Sequence, residues 1–277
     1  MFDPDLAADL RAVHELVVFT GAGMSAESGV PTFRDRMTGL WSHTDPLEIA
    51  TPVAFKRHPQ RVWDWHAHLA KAVRAALPNA GHLAIAKLER RGIKVTVVTQ
   101  NIDNLHQRAG SRNIVELHGN LLRLKSFVDD DLAFANDRSP VICPLCDGYA
   151  DWDSCDPCAD QSDFAAIELC DGPVPQCPCC KSMLRPDIVW FGEMLDPQVI
   201  ESAWNAVEAC ELLIVVGASL EVEPAASLPW RALDRGARII EVNPSPTDLA
   251  GYCHAAFAST AVDVLPGLLD LVAPGSR

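Results

Sequence analysis

Thr20-Gly21-Ala22-Gly23-Met24-Ser25-Ala26 follows an apolar, β-branched run, Leu16-Val17-Val18-Phe19. Residues of these types in this order make a phosphate-binding turn. A buried strand delivers the chain, two glycines let the backbone approach a pyrophosphate, and free N–H groups at a helix start face its charge. Ala26 stands at the third small position of the dinucleotide fingerprint, where alanine is accepted. No second strand ending in an acidic residue follows. Instead Pro31-Thr32-Phe33-Arg34-Asp35 sets an aromatic ring and a charge pair where a plain dinucleotide fold continues its helix. The expected role of the dinucleotide is therefore more than simple hydride transfer.

Polar groups recur at the ends of other strand-like runs. Gln100-Asn101-Ile102-Asp103 closes Val95-Thr96-Val97-Val98-Thr99 and offers amide and carboxylate groups suited to a ribose or a carboxamide. The plainer reading is a polar loop capping the next helix. Leu117-His118-Gly119 presents an imidazole beside a glycine, sterically open and titrating near neutrality as a general base must. Most of the nine histidines serve structure, so His118 alone is a weak signal. Gly217-Ala218-Ser219 follows Leu213-Ile214-Val215-Val216 as a small-residue turn able to approach a ribose or phosphate. Asn243-Pro244-Ser245 ends Ile239-Ile240-Glu241-Val242, where Asn243 suits an adenosine.

Eight of the ten cysteines fall between Cys143 and Cys180. In a reducing compartment such clustering suggests metal rather than disulfides. Cys143 and Cys146 with Cys177 and Cys180 make two knuckles able to close a tetrahedral thiolate site, the structural kind of zinc centre. Cys155 and Cys158 form a competing knuckle, with Cys170 and Cys179 as spares.

The elements that must position these groups alternate. Short β-branched runs are separated by helical stretches at His82 to Arg91, stopped by Gly92, and at Pro197 to Leu212. This pattern predicts an α/β, doubly wound parallel-sheet (Rossmann-like) large domain. Residues 36–76, helical in tendency, and 121–185, with the cysteines, break the alternation. They are expected to form a smaller helical and zinc-binding module, leaving 1–35, 77–120 and 186–277 as the large domain. The chain has 277 residues, 48% of them hydrophobic, and a formal charge of −14. That charge argues against a nucleic-acid backbone as the main partner and suits a basic protein segment; the plainer reading is that the acidity only aids solubility. No apolar run approaches the ~20 residues of a membrane span, and Asp3, Asp5 and Asp9 replace a basic-then-apolar leader. The expectation is a soluble cytoplasmic protein.

In this order, the motifs resemble those of the sirtuins, NAD-dependent protein deacylases. The likeness runs from about Leu16 to Pro266 and includes Arg185-Pro186-Asp187-Ile188-Val189-Trp190-Phe191-Gly192-Glu193. It implies NAD held by Gly21, Ala22, Gly23, Ser25, Ala26, Phe33 and Arg34, by Gln100, Asn101, Ile102 and Asp103, and by Gly217, Ala218, Ser219, Asn243, Pro244, Ser245 and Ala261. Phe33 would cover the nicotinamide pocket, and Asn101 and Asp103 would position the carboxamide and its ribose. The resemblance further implies His118 and Asn101 as catalytic groups, and a strand-like cleft of Val189, Phe191, Gly192, Glu193, Glu221 and Val222 that pairs with an acylated-lysine peptide. The acyl group would pass to ADP-ribose with release of nicotinamide, and one structural zinc would be bound by Cys143, Cys146, Cys177 and Cys180.

Three departures matter. The place where relatives carry their first cysteine pair holds Ser126-Phe127-Val128-Asp129. The usual Gly-Thr-Ser is Gly217-Ala218-Ser219. Thr38-Gly39-Leu40-Trp41 and the run from Ala50 resemble the desuccinylase branch, yet His66 and Leu69 stand where that branch carries a Tyr and an Arg for an acidic acyl group. Without the arginine a buried succinyl carboxylate is unpaired, so neutral acyl groups are expected to be preferred. His66, if protonated, would partly restore the charge. Mono-ADP-ribosyl transfer or NAD hydrolysis from the same pocket, and a non-catalytic NAD-sensing scaffold, remain alternatives on the sequence.

Overall fold

The computed structural model describes residues 4–30, 45–127, 141–142, 149–150, 168–177 and 181–272. The chain divides into two compact units, one of Met1–Asp35, Ala75–Gly119 and Leu195–Arg277, the other of Arg36–Arg74 and Asn120–Met194. The sequence reading put residues 186–194 in the larger domain; they pack with the second unit.

The first unit is built on a six-stranded sheet. Its strands are β1 (Glu15–Thr20), β2 (Lys94–Thr99), β3 (Ile114–Glu116), β8 (Leu212–Val216), β9 (Arg238–Val242) and β10 (Ala255–Phe257). They lie in the order β3-β2-β1-β8-β9-β10, all pairs parallel. Side chains alternate between faces. Leu16 and Val18 of β1 join a cluster with Ile85, Leu88, Leu265 and Leu268 from α4 (Ala80–Arg90) and α8 (Ala261–Asp270). Val17 and Phe19 face Ile200, Ala203, Leu228 and Ala232 from α6 (Pro197–Ala209) and α7 (Leu228–Asp234). A strand covered on both faces must be apolar throughout, which is why these runs are continuous rather than alternating. The remaining helices of this unit are α1 (Pro4–Arg11) and α5 (Leu105–Ala109).

Three local expectations change. Among the described residues 21–30 no α-helix follows Gly21-Ala22-Gly23; two 3₁₀ turns, Ala22–Met24 and Ala26–Ser28, end at Gly29 with φ +82°. The carbonyls of Gly21 and Met24 accept from the Asn101 and Asn79 side-chain amides. Those bonds hold the tight turns in place of a growing α-helical ladder. Helix α4 starts at Ala80, two residues before His82, because Asn79 caps it. Helix α6 stops at Ala209, since Leu212 and Leu213 pair with Leu16 and Val17 in the sheet.

The second unit carries α2 (Pro52–Arg57), α3 (Pro59–Ala75), a pair of strands β4 (Gly119–Ser126) and β7 (Leu184–Ile188), and a short antiparallel pair β5 (Val141–Ile142) and β6 (Tyr149–Ala150). Its core gathers Phe55, Phe127 and Trp190, with ring centroids 4.9 and 5.4 Å from Phe55. Trp63 is buried and donates its indole N–H to the Cys170 carbonyl at 2.9 Å.

Candidate active site

The strand order places β1 where the sheet's connections reverse, with β2 on one side and β8 on the other. In open parallel sheets the crevice beyond the carboxyl ends at such a reversal is where dinucleotides bind. Both strands end there in small-residue turns. Gly21 N–H donates to the Val216 carbonyl at 3.0 Å and Gly23 N–H to the Gly217 carbonyl at 2.9 Å. A Cβ on Gly23 would stand 2.7 Å from the Gly217 Cα, and one on Gly217 2.4 Å from the Gly23 carbonyl carbon. Gly217 also has φ +57°. The glycines thus let two turns cross at backbone distance. Ala22 and Ala26 are exposed, so the rim has no side chain beyond a methyl group at either position. Such a rim fits the close approach a pyrophosphate needs.

A buried polar cluster backs these turns. The Asn101 side-chain amide donates to the Gly21 carbonyl at 3.0 Å and to Ser25 Oγ at 3.2 Å, and its backbone N–H donates to Thr99 Oγ1 at 3.0 Å. His82 Nδ1 accepts from the Asn79 N–H, so its Nε2 carries the proton and points at Ser25 Oγ, 3.5 Å away. Ser25 in turn hydrogen-bonds Asp103, whose carboxylate also accepts from Leu105 N–H at 2.9 Å. Burial nonetheless raises the Asp103 pKa. Burial lowers that of His82 to about 4.

His118 lies just past the end of β3. A carbonyl can only accept, so its Nδ1, 3.1 Å from the Gln100 oxygen, carries the proton and leaves Nε2 with a free lone pair. Burial lowers its pKa, with the Gln100 bond opposing. The group is a neutral base, held in one tautomer by the loop that also carries Asn101.

The Sir2 family model matches residues 21–224, most of the chain and all of these turns. The chain belongs to the Sir2 family. A protein of Ralstonia nicotianae named NAD-dependent protein deacylase is 43% identical over 94% of this chain and 93% of its own length. NAD-dependent protein deacylase 1 of Archaeoglobus fulgidus is 40% identical over 96% of both. A solved complex of a Sir2 homologue with NAD superposes with a TM-score of 0.79 at 39% identity, covering 98% of this chain and 94% of that one.

Within this Sir2 chain, the remaining expected site residues fall out unevenly. Ile102 and Ser219 are half-buried, and Pro244 and Ser245 are exposed. Asn243 is buried and spends its side-chain amide on the Ala218 carbonyl at 2.9 Å, bracing the second turn. Ala261 is buried at the start of α8. Glu221 and Val222 are exposed and lie in no strand.

In the second unit, β7 ends at Ile188, and Val189–Glu193 follows it outside any strand of the chain's own sheets. It turns back through Glu193 N–H to the Trp190 carbonyl at 3.0 Å, leaving Phe191 and Gly192 exposed. The Glu193 carboxylate is engaged by the buried Arg185 guanidinium and by Trp190 N–H. Arg185 in turn lies over the Trp190 ring, 3.4 Å from its centroid. His66 and Leu69 are both on the buried face of α3. His66 donates Nδ1–H to the Val62 carbonyl at 2.8 Å and packs against Trp65 and Trp190. Burial lowers its pKa to about 4. That rules out the protonated His66 entertained above as a partner for an acidic acyl group near pH 6.

Phe33, Arg34, Cys143, Cys146 and Cys180, with the alternatives Cys155, Cys158 and Cys179, lie outside the described residues. Cys177 is fully buried in a turn closed by its own N–H to the Ser182 carbonyl and by Lys181 N–H to its carbonyl, at 2.8 and 3.0 Å. Sequence reasoning missed Asn79, His82, His106, Thr20 and Thr99. Asn79 three residues before His82 is a readable cap signal. The two threonines are legible only as polar residues closing apolar strands.

Proposed function

We infer that this chain is an NAD-dependent protein-lysine deacylase. The observation that carries the reading is the pairing, at one end of one sheet, of a glycine cradle at the strand reversal with a neutral His118 base and a half-buried Asn101 amide held by Gly21 and Ser25. When bound, NAD supplies the ribosyl carbon that accepts the acyl oxygen as nicotinamide leaves. Gly21 to Ser25 and Gly217 to Ser219 hold its diphosphate, and Asn243, Pro244, Ser245 and Ala261 lie toward its adenosine. Asn101 and Asp103 orient the nicotinamide half, with Gln100 and Ile102 in the same loop; the resemblance adds Phe33 and Arg34 to this half. His118 Nε2 accepts a proton from the ribose hydroxyls. General-base help of this kind is worth ~10²–10⁴-fold. The substrate is an acylated lysine on a protein, whose backbone pairs with the Val189–Glu193 segment. Glu193 serves there through its backbone, since its carboxylate is bound to Arg185.

The test is product analysis of an acetyl-lysine peptide with NAD. The expected products are free lysine, nicotinamide and O-acetyl-ADP-ribose, and His118→Ala should abolish them while NAD binding survives. Activity of that variant within threefold of wild type would remove the base assignment. ADP-ribosylated protein or free ADP-ribose as main products would replace deacylation with the transferase or hydrolase reading.

One structural zinc per chain belongs to the same proposal. It is supported by the thiolate-rich donor set and by the closed turn at Cys177. Cys143, Cys146 and Cys180 complete the preferred set. Metal analysis should find about one zinc per chain; full retention in Cys143→Ser would favour Cys155 and Cys158. Cysteine content also supports work in the reducing cytoplasm. Among the described residues no helix is long and apolar enough to cross a membrane.

A further inference from the structure

Behind the site lies a second buried polar layer that the roles above leave unused. Thr20 and Thr99 are the last residues of β1 and β2 and stand opposite each other in register. Both are buried. Their hydroxyls are 2.8 Å apart, and Thr20 Oγ1 is 3.1 Å from His106 Nε2. His106, on the short α5, is 1% exposed, and its ring stands 4.7 Å from that of His82. Its Nδ1 is buried with no hydrogen-bond partner among the described residues.

The proton positions follow from counting. Thr99 Oγ1 accepts from Asn101 N–H and from the Thr20 hydroxyl. Thr20 has then used its only proton, so His106 must donate to it from Nε2. The unpartnered Nδ1 is thereby left as a bare acceptor, which is less rare in native interiors than an orphaned N–H. We propose that His106 is a positioning residue for Asn101: its Nε2–H fixes the Thr20 hydroxyl, which fixes Thr99, whose oxygen holds the Asn101 backbone N–H. Asn101 is thus gripped at two points, by Thr99 through its main chain and by Gly21 and Ser25 through its side chain. Each hydroxyl in this chain of buried bonds is held by its neighbour, and removing one donor leaves the next groups free to reorient.

The proposal rests on the deacylase reading, and the experiment separates the two. Wild type without NAD-dependent deacylation would defeat that reading whatever the variants do. His106→Leu removes the donor at similar volume; His106→Gln keeps an amide N–H near the Nε2 position. We expect His106→Leu to lower kcat about tenfold with the acyl-peptide KM unchanged, and His106→Gln to recover to within threefold of wild type. Thr99→Val, which fits a strand, should give the same loss, and the double variant should lose no more than either alone. In ligand-free protein the Asn101 side-chain amide resonance should shift in His106→Leu and Thr99→Val and return in His106→Gln. Equal loss in His106→Leu and His106→Gln, additive losses in the double variant, or an unmoved Asn101 resonance would overturn the proposal. Should His106→Leu fail to fold, Thr99→Val and the Asn101 resonance decide it alone.

Discussion

His118 shows how a single bond selects chemistry. The Gln100 carbonyl takes the Nδ1 proton, which leaves Nε2 able to accept one. Burial lowers the pKa from 6.5, so the base form is kept at acidities where a free histidine would be charged. The acidic limb of kcat/KM should therefore have its midpoint below pH 6.5, and a midpoint above 7 in a pH–rate profile would contradict this environment. On the proposed reading, acyl choice also turns on single residues. Neither His66, with a pKa of about 4, nor Leu69 offers a cation to a succinyl group. A charge-assisted bond to a carboxylate contributes about 1.5–3 kcal/mol. Acetyl peptide should thus exceed its succinyl counterpart by tenfold or more in kcat/KM, with no gain in desuccinylation as pH falls to 6. Succinyl preference in that comparison would sink the argument. Leu69→Arg is a poor probe by contrast, since it would bury an unpaired cation among Val62, Ala70 and Val73.

At the scale of elements, Asn79 is more than a cap. Its Oδ1 accepts from Gly81 and His82 N–H, and its Nδ2 donates to the Met24 carbonyl and to Ser28 Oγ at 2.8 and 3.1 Å. Helix α4 and the 3₁₀ turns after β1 are therefore tied through one side chain. Asn79→Ala should cost ~2 kcal/mol, the upper end for a lost cap, and should weaken NAD binding as well. Asn79→Asp, which keeps the cap oxygen but loses both donations, should fall between. Urea unfolding and NAD titration of the two variants check this; equal stability of Asn79→Asp and wild type would show that the tie to Met24 contributes nothing. Gly217 makes the complementary point. A methyl group there meets backbone at 2.4 Å and sits at φ +57°, so Gly217→Ala must move one turn off the other.

For the whole molecule, buried neutral histidines set the acid limit. His66 and His82 have folded pKa values of about 4, against 6.5 when exposed, and His106 lies well below 6.5. The unfolded chain takes up these protons first. Stability is thus intact above about pH 6.5 and is lost as pH falls towards 4, each group removing up to about 1.4 kcal/mol per pH unit. Asp103 has the opposite sign, because its raised pKa lets the folded state bind a proton before the unfolded one. His118 shares the sign of the other three, and with four histidines against one aspartate the loss wins. Urea midpoints at pH 7.5 and 5.5 should differ clearly, and equal midpoints would mean that the histidines are not held neutral.

Most of the sheet was legible because its strands are covered on both faces. Continuous β-branched runs such as Leu16–Phe19 and Leu213–Val216 carry that signature in one dimension. The places of the turns at Gly21 and Gly217, of the Asn101 loop and of His118 beyond strand ends were legible for a related reason: small or polar residues close these apolar runs. The edge strand Ala255–Phe257 was not, being three residues long and only half-buried or exposed, and of the equally short Ile114–Glu116 only the end before His118 was expected. The fate of the glycines was also hidden, since the reason for them lies as much in a turn about 195 residues away as in any phosphate. The same holds for Glu193, read as a substrate contact and found gripped by Arg185, and for His66, whose charge state depends on the Trp65 and Trp190 rings around it. Residue type and order are local properties. Which donor meets which acceptor, and how much water reaches a titrating group, are set by atoms that only folding brings together.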